Sequence, residues 1–196
     1  METQARTRAP FALTSFLNAA KAGVRKAAES VSTMSSGAVR MDVLSAGVSP
    51  TARLSEIAGN PEDLVAGVYI TVEGDLPGHA LLVFSYESAL HLVDILVGQP
   101  PHTTKRLDEM EQSVIQEVGN IVTGSYLNAL SDFFGWSLLP SPPGIAIDMA
   151  AAVIDSVLLN TGHFDEETIS IVTRFAGQKK SMRGFFLYIP EVGPNE

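Results

Sequence analysis

Ser113, Glu117 and Asn120 stand at i, i+4 and i+7, the spacing that puts three side chains on one face of an α-helix. A carboxamide presented this way can hold a water molecule, its oxygen accepting one of the water's protons. Glutamines do the equivalent job in GTPases. By residue type and spacing alone, an ordinary solvated helix face accounts for the same three residues. At about 100° per residue, Gly124 falls on the same stripe and Ser131 returns to it. Val114, Val118, Ile121, Val122, Ser125 and Ala129 are expected to point the other way, onto a core. The absence of bulk at Gly124 would let another surface approach this polar ridge closely.

The helix that carries the ridge has a clear beginning. Asp108 followed three residues later by Glu111 reads as a capping box, and Pro100 and Pro101 keep the preceding segment non-helical. The helix is expected over residues 108–134, with Trp136 packing where it ends. Residues 1–12 are expected to form a flexible tail. An Ala-rich helix follows from Thr14 or Ser15 to about Ser35. Val39–Val43 alternates as a half-buried strand, and residues 51–65 mix a short helical turn with Gly59, Asn60 and Pro61. Val68–Val72 and Ala80–Ser85 read as a hairpin around the turn at 74–78, and Tyr86–Val97 as an amphipathic helix. After the long helix come a strand at Trp136–Leu139 and a helix at Asp148–Leu159 with Asp148 as its N-cap. A second hairpin, Ile169–Phe175 with Gly184–Ile189, turns around residues 177–182.

This order repeats at an offset of about a hundred residues, far from the 20–50 of solenoid repeats. VYITVEG at 68–74 resembles IVTRFAG at 171–177, and HALLVFS at 79–85 resembles GFFLYIP at 184–190. The pattern points to one α+β domain over residues 13–196. It would be internally duplicated as helix–strand–helix–hairpin halves, 13–99 and 106–190. One sheet with the long helices packed outside it would result.

Composition narrows the function classes. The chain has 196 residues, 45% hydrophobic and 18% charged, which suits a globular protein with a sizeable core. A net charge of −9 argues against a nucleic-acid partner and against adsorption to an anionic membrane. No cysteine is present, which excludes disulfides, thiolate zinc sites and a cysteine nucleophile. No apolar run reaches the roughly 18 residues of a membrane span, and the first residues lack a signal peptide's continuous apolar core. A cytoplasmic location is expected. His79, His91, His102 and His163 match no zinc spacing, and Gly98, Gly135 and Gly144 are turn or helix-end glycines rather than a phosphate cradle. Asp148 and Asp155 read as a cap and a solvated residue rather than a catalytic carboxylate pair.

The segment from Leu107 to Pro143 resembles the active-site segment of the CheC/CheX/FliY chemotaxis phosphatases. That family's motif is Asp or Ser, three residues, Glu, two residues, Asn, then twenty-two residues and Pro. Ser113, Glu117, Asn120 and Pro143 fit every interval, four positions across 31 residues, and the string EVGNIVTGSYLNALS is similar as well. The resemblance covers residues from about 15 to 190 and implies a pseudo-two-fold domain. It implies a phosphatase acting on the aspartyl phosphate of a CheY-like response regulator. Asn120 would position the attacking water and Glu117 would pair with the regulator's lysine. Ser113 would hydrogen-bond at the edge of the contact, and Pro143 would shape a loop that buttresses the helix. No cofactor of its own is implied; the divalent cation, Mg, would sit on the regulator. The receptor deamidase CheD is a further possible partner, and a non-catalytic receiver- or CheD-binding adaptor is the alternative. A flagellar switch subunit of the FliY type ranks lowest, because those proteins carry a further C-terminal domain and this chain stops at Glu196. Many members carry Glu and Asn in both halves. Here Asn18 and Lys21 occupy those places in the first helix, and Leu44 stands where the proline would be. One site is therefore expected, with the first helix structural.

Overall fold

The computed structural model describes residues 12–50, 60–161, 167–177 and 182–191. The expected tail, most of the turn at 51–65, and His163 lie outside the described residues. Helix α1 spans Leu13–Met34 and is followed by strand β1, Val39–Pro50. Strands β2, Leu64–Gly74, and β3, Gly78–Ser85, form a hairpin that runs into helix α2, Tyr86–Leu96. Helix α3, Glu109–Phe134, is the longest element, and short strands β4, Leu138–Pro140, and β5, Gly144–Met149, follow it. Helix α4, Ala150–Thr161, leads to the pair β6, Glu167–Gly177, and β7, Gly184–Pro190.

The fold is α+β, and every strand pair is antiparallel. The strand order is β1-β6-β7-β3-β2-β4, with β5 also pairing with β2. Exchanging β1 with β4 and β5, β6 with β2, and β7 with β3 leaves this order unchanged when it is read backwards. The outer strands, β1 on one side and β4 and β5 on the other, therefore pair with the hairpin of the other half of the chain.

Both faces of the sheet are covered. Ala80, Leu82 and Phe84 of β3 join Phe186 and Tyr188 of β7 beneath α1, α2 and α3. Leu81 and Val83 alternate to the other face and meet Val153, Ile154, Val157 and Leu158 of α4. This is why residues 80–84 are uniformly apolar: a strand covered on both sides loses the polar alternation of a half-exposed one.

Helix α1 lies along α3 at close range. A Cβ added at Gly23 would come 2.8 Å from the Tyr126 ring, and the Ser30 and Ser125 hydroxyls meet at 2.8 Å. Tyr126 is fully buried, with the rings of Phe186 and Tyr188 at 5.5 and 5.3 Å. Phe134 stacks on Trp136 at 4.0 Å, so the tryptophan does pack where α3 ends.

Three expectations are corrected. The strand expected at Trp136–Leu139 is instead β4 at Leu138–Pro140, and β5 was not anticipated. Asp148 lies in β5 and accepts the Met149 N–H at 2.7 Å, so it is not the cap of α4. The first N–H groups of α4 are satisfied from elsewhere in the chain: Ala150 donates to the Asp63 carbonyl at 2.9 Å and Ala151 to the Pro61 carbonyl at 3.0 Å. Third, β1 continues to Pro50, well past Val43, held by pairing with β6 across a bulge between Val43 and Ser45.

Candidate active site

Helix α3 is fixed at both ends by its own sequence. The Asp108 carboxylate accepts the N–H of Glu111, and the Glu111 carboxylate accepts the Asp108 N–H at 3.1 Å. These bonds satisfy donors that a helix start otherwise leaves bare. Glu109 and Glu111 in the first turn complement the positive end of the helix dipole. At the other end Gly135 takes φ 70° and closes the helix with a bond to the Ser131 carbonyl.

Between these ends the burial is periodic. Ile115, Val118, Gly119, Val122, Thr123, Tyr126, Leu127 and Leu130 are buried. The expected back face is rotated slightly from this one. Val118 and Val122 belong to it, but Val114, Ile121, Ser125 and Ala129 are only half-buried. At about 100° per residue those four lie on the flank that α1 covers, where Ser125 bonds Ser30. Gly119 brings the helix onto the sheet. A Cβ there would sit 2.6 Å from Val68 Cγ1, so a side chain has no room.

Ser113, Glu117 and Asn120 are all exposed on the opposite side, and Gly124 is half-exposed beside them. A Cβ added at Gly124 would meet nothing within 4 Å. Glu117 and Asn120, three residues apart, are neighbours with Cβ atoms about 5–6 Å from each other. Flanking residues Val118 and Gly119 are buried, so the backbone between the acid and the amide is held against the sheet. The Ser113 hydroxyl donates to the Glu109 carbonyl at 2.9 Å, within the helix itself.

Pro143 lies 27 residues beyond Gln116, and its carbonyl accepts the Gln116 Nε2–H at 2.8 Å. The Pro142-Pro143 turn is thus tied to the ridge's other flank through a side chain that sequence reasoning had not singled out. Ser141 pins the same turn to β2: its hydroxyl accepts the Thr71 N–H at 3.1 Å, and its own N–H donates to the Thr71 carbonyl at 2.8 Å. The ridge is therefore bounded by α1 on one side and by this turn on the other. Asn18 and Lys21 are exposed on α1, with no glutamate between Leu13 and Ala28.

The approach to α3 is anchored too. The Asp94 carboxylate is buried and accepts the N–H groups of Thr103 and Thr104 at 3.2 and 2.8 Å. Burial alone would push this carboxyl up. Hydrogen bonds from the Thr104 side chain and from the backbone of Thr104, His102 and Thr103 outweigh it and hold the group below the ordinary carboxylate value. The Tyr86 hydroxyl then accepts the Leu107 N–H at 3.2 Å, one residue before the cap. Among the described residues no group of three or more histidine or carboxylate side chains is placed to hold a metal ion. No helix among them is long and apolar enough to cross a membrane.

Comparisons with known proteins agree with this layout. The profile of the CheC-like family matches residues 110–147, the stretch from the start of α3 into β5. Among solved structures, FliY of Thermotoga maritima gives a TM-score of 0.69 at 17% identity over 90% of this chain and 88% of its own. The FliM middle domain from H. pylori gives 0.62 at 15% identity, covering 91% of both chains. At such identities the likeness is one of fold. The CheY-P phosphatase CheC of Bacillus subtilis (strain 168) is 30% identical over 142 residues, which are 70% of this chain and 68% of that protein. With a relative at that identity matched across more than two thirds of both sequences, the protein belongs to the CheC-like family.

Proposed function

We propose that the protein dephosphorylates the aspartyl phosphate of a CheY-like response regulator, with Asn120 and Glu117 as the working side chains. The observation that carries this reading is the exposure of the acid and the amide on a helix whose intervening residues are locked into the core. The named activity of the Bacillus subtilis relative supports it. Hydrolysis of an acyl phosphate needs a water in line with the leaving aspartate oxygen, and little covalent help from the protein. The Asn120 Oδ1 accepts a proton of that water in a hydrogen bond and orients its lone pair toward phosphorus. As the new P–O bond forms, the bond to the regulator's aspartate breaks and the carboxylate leaves. Glu117 pairs with the regulator's lysine and fixes the register of docking. The divalent cation belongs to the regulator, and this chain contributes position rather than a cofactor. The Gln116 side chain, bonded to the Pro143 carbonyl, ties that turn to α3 beside the ridge.

The lifetime of a phosphorylated CheY-like regulator, measured with and without the purified protein, tests this reading. A shortened lifetime is expected, and no change would refute it. A regulator that is bound without being hydrolysed would identify an adaptor instead.

A further inference from the structure

Ser113, Glu117 and Asn120 are polar, and Gly124 beside them offers only backbone. Specific protein interfaces take most of their affinity from a few desolvated contacts, and methionine is among the residues enriched there. The same stripe of α3 carries one such side chain. Met110 precedes Glu117 by seven residues, two helical turns, and at about 100° per residue the two point within about 20° of each other. It lies about 10 Å along the axis from Glu117 and about 15 Å from Asn120. A standard interface covers about 800 Å² on each partner, a patch reaching roughly 16 Å from its centre. A partner centred between Glu117 and Asn120 therefore covers Met110.

Met110 is 65% exposed and serves neither the helix cap nor the core. The cap is built by Asp108 and Glu111, the apolar residue buried at the helix start is Leu107, and Met110 belongs to neither buried cluster. Of the large apolar side chains exposed among the described residues, it alone lies on the ridge's stripe. Phe133, the other one on α3, stands about 20 Å along the axis from Asn120 and points about 160° away from Glu117.

Resting on the phosphatase reading, we propose that Met110 is the apolar contact that holds the phosphorylated receiver domain on α3, seated against an apolar side chain of the receiver beside its phosphorylation site. An unbranched, polarisable thioether suits this use, because it adapts to an irregular partner surface. Grip and chemistry then share one stripe of one helix. Asn120 and Glu117 meet the phosphate and the lysine, and Met110, two turns before Glu117, holds the domain that carries them.

The test compares wild type with Met110→Ala, Met110→Leu and Leu159→Ala. Leu159 is equally exposed, at 65%, but stands on α4, on the opposite face of the sheet. Alanine is the best helix former and truncating an exposed side chain leaves no cavity, so Met110→Ala is expected to fold as wild type does. Two quantities are read: KM and kcat for phosphorylated regulator, and Kd for the same regulator carrying beryllofluoride. Met110→Ala is expected to raise KM and Kd about tenfold, the usual cost of losing a hot-spot contact, with kcat within about twofold of wild type. Met110→Leu, apolar and close in volume, is expected to keep most of the affinity, and Leu159→Ala to keep all of it. An unchanged Kd for Met110→Ala, or an equal loss in Leu159→Ala, would overturn the contact. A wild type that binds the beryllofluoride form but leaves phosphate in place would overturn the phosphatase reading, while the Kd comparison would still decide the role of Met110. A wild type that does not bind at all would overturn both.

Discussion

Ser113, Glu117 and Asn120 share a face, and the proposed mechanism gives them different roles. Losing one well-placed polar group typically costs about 10²–10³ in rate, so Glu117→Ala is expected to impair both docking and turnover. Ser113→Ala is expected to change either by less than about threefold, because its hydroxyl already donates to the Glu109 carbonyl within α3. The two glycines of the helix should behave in opposite ways. Gly124→Ala meets open space and gains helix propensity, so it should raise stability by up to about 1 kcal/mol while weakening regulator binding. Gly119→Ala forces a methyl to within 2.6 Å of Val68 and should cost about 1–3 kcal/mol. Denaturant midpoints for the pair check this. The ridge was readable in the sequence because it depends only on helical period, but the two glycines look alike there. What separates them is Val68, some fifty residues away in β2, and no local pattern contains it.

At the scale of elements, local chemistry was legible and borrowed chemistry was not. The capping box of α3 lies within four residues and forms as its sequence suggests. The start of α4 was misplaced because Asp148 before an alanine run looks like a cap, whereas the N–H groups there are satisfied by Pro61 and Asp63 carbonyls. Likewise, residues 44–50 lack the alternation of a strand and are extended because β6 holds them. The back of α3 was rotated in the sequence reading for a related reason. The expected face centres on Val114, Ile121 and Ser125, but Thr123 and Tyr126 are buried and Ile121 is shared with α1's flank. Asp94 leads to a pH prediction at this scale. Its carboxyl titrates lower in the fold than in the unfolded chain, so its contribution to stability is complete above the ordinary carboxylate range. That contribution is lost as pH falls through the lower folded value. Asp94→Asn should therefore lower Tm at neutral pH and flatten the acid limb of a Tm-against-pH curve, without changing the chemistry at Asn120.

For the whole molecule, the central expectation of an α+β sheet with the two long helices lying together outside it is what the chain adopts. The covered second face, with α4 on it, gives the sheet two cores and explains strands apolar on both sides. Such a scaffold holds α3 still from beneath and leaves one polar stripe free. One buried feature marks the limit of its packing: the Tyr126 hydroxyl has no hydrogen-bond partner among the described residues. Tyr126→Phe is expected to leave stability unchanged or raise it slightly, since removing an unsatisfied polar atom removes a desolvation cost. A loss of more than about 1 kcal/mol would show that the hydroxyl has a partner.

The central claim is that a side chain held outward on α3 positions the water that attacks a neighbour's acyl phosphate. Single-turnover phosphate release from a phosphorylated CheY-like regulator, wild type against Asn120→Ala at saturating protein and with matched Tm values, tests it most directly. The rate is expected to fall by about 10²–10³ while the beryllofluoride-loaded regulator binds as before. Equal rates for the two proteins would contradict the account.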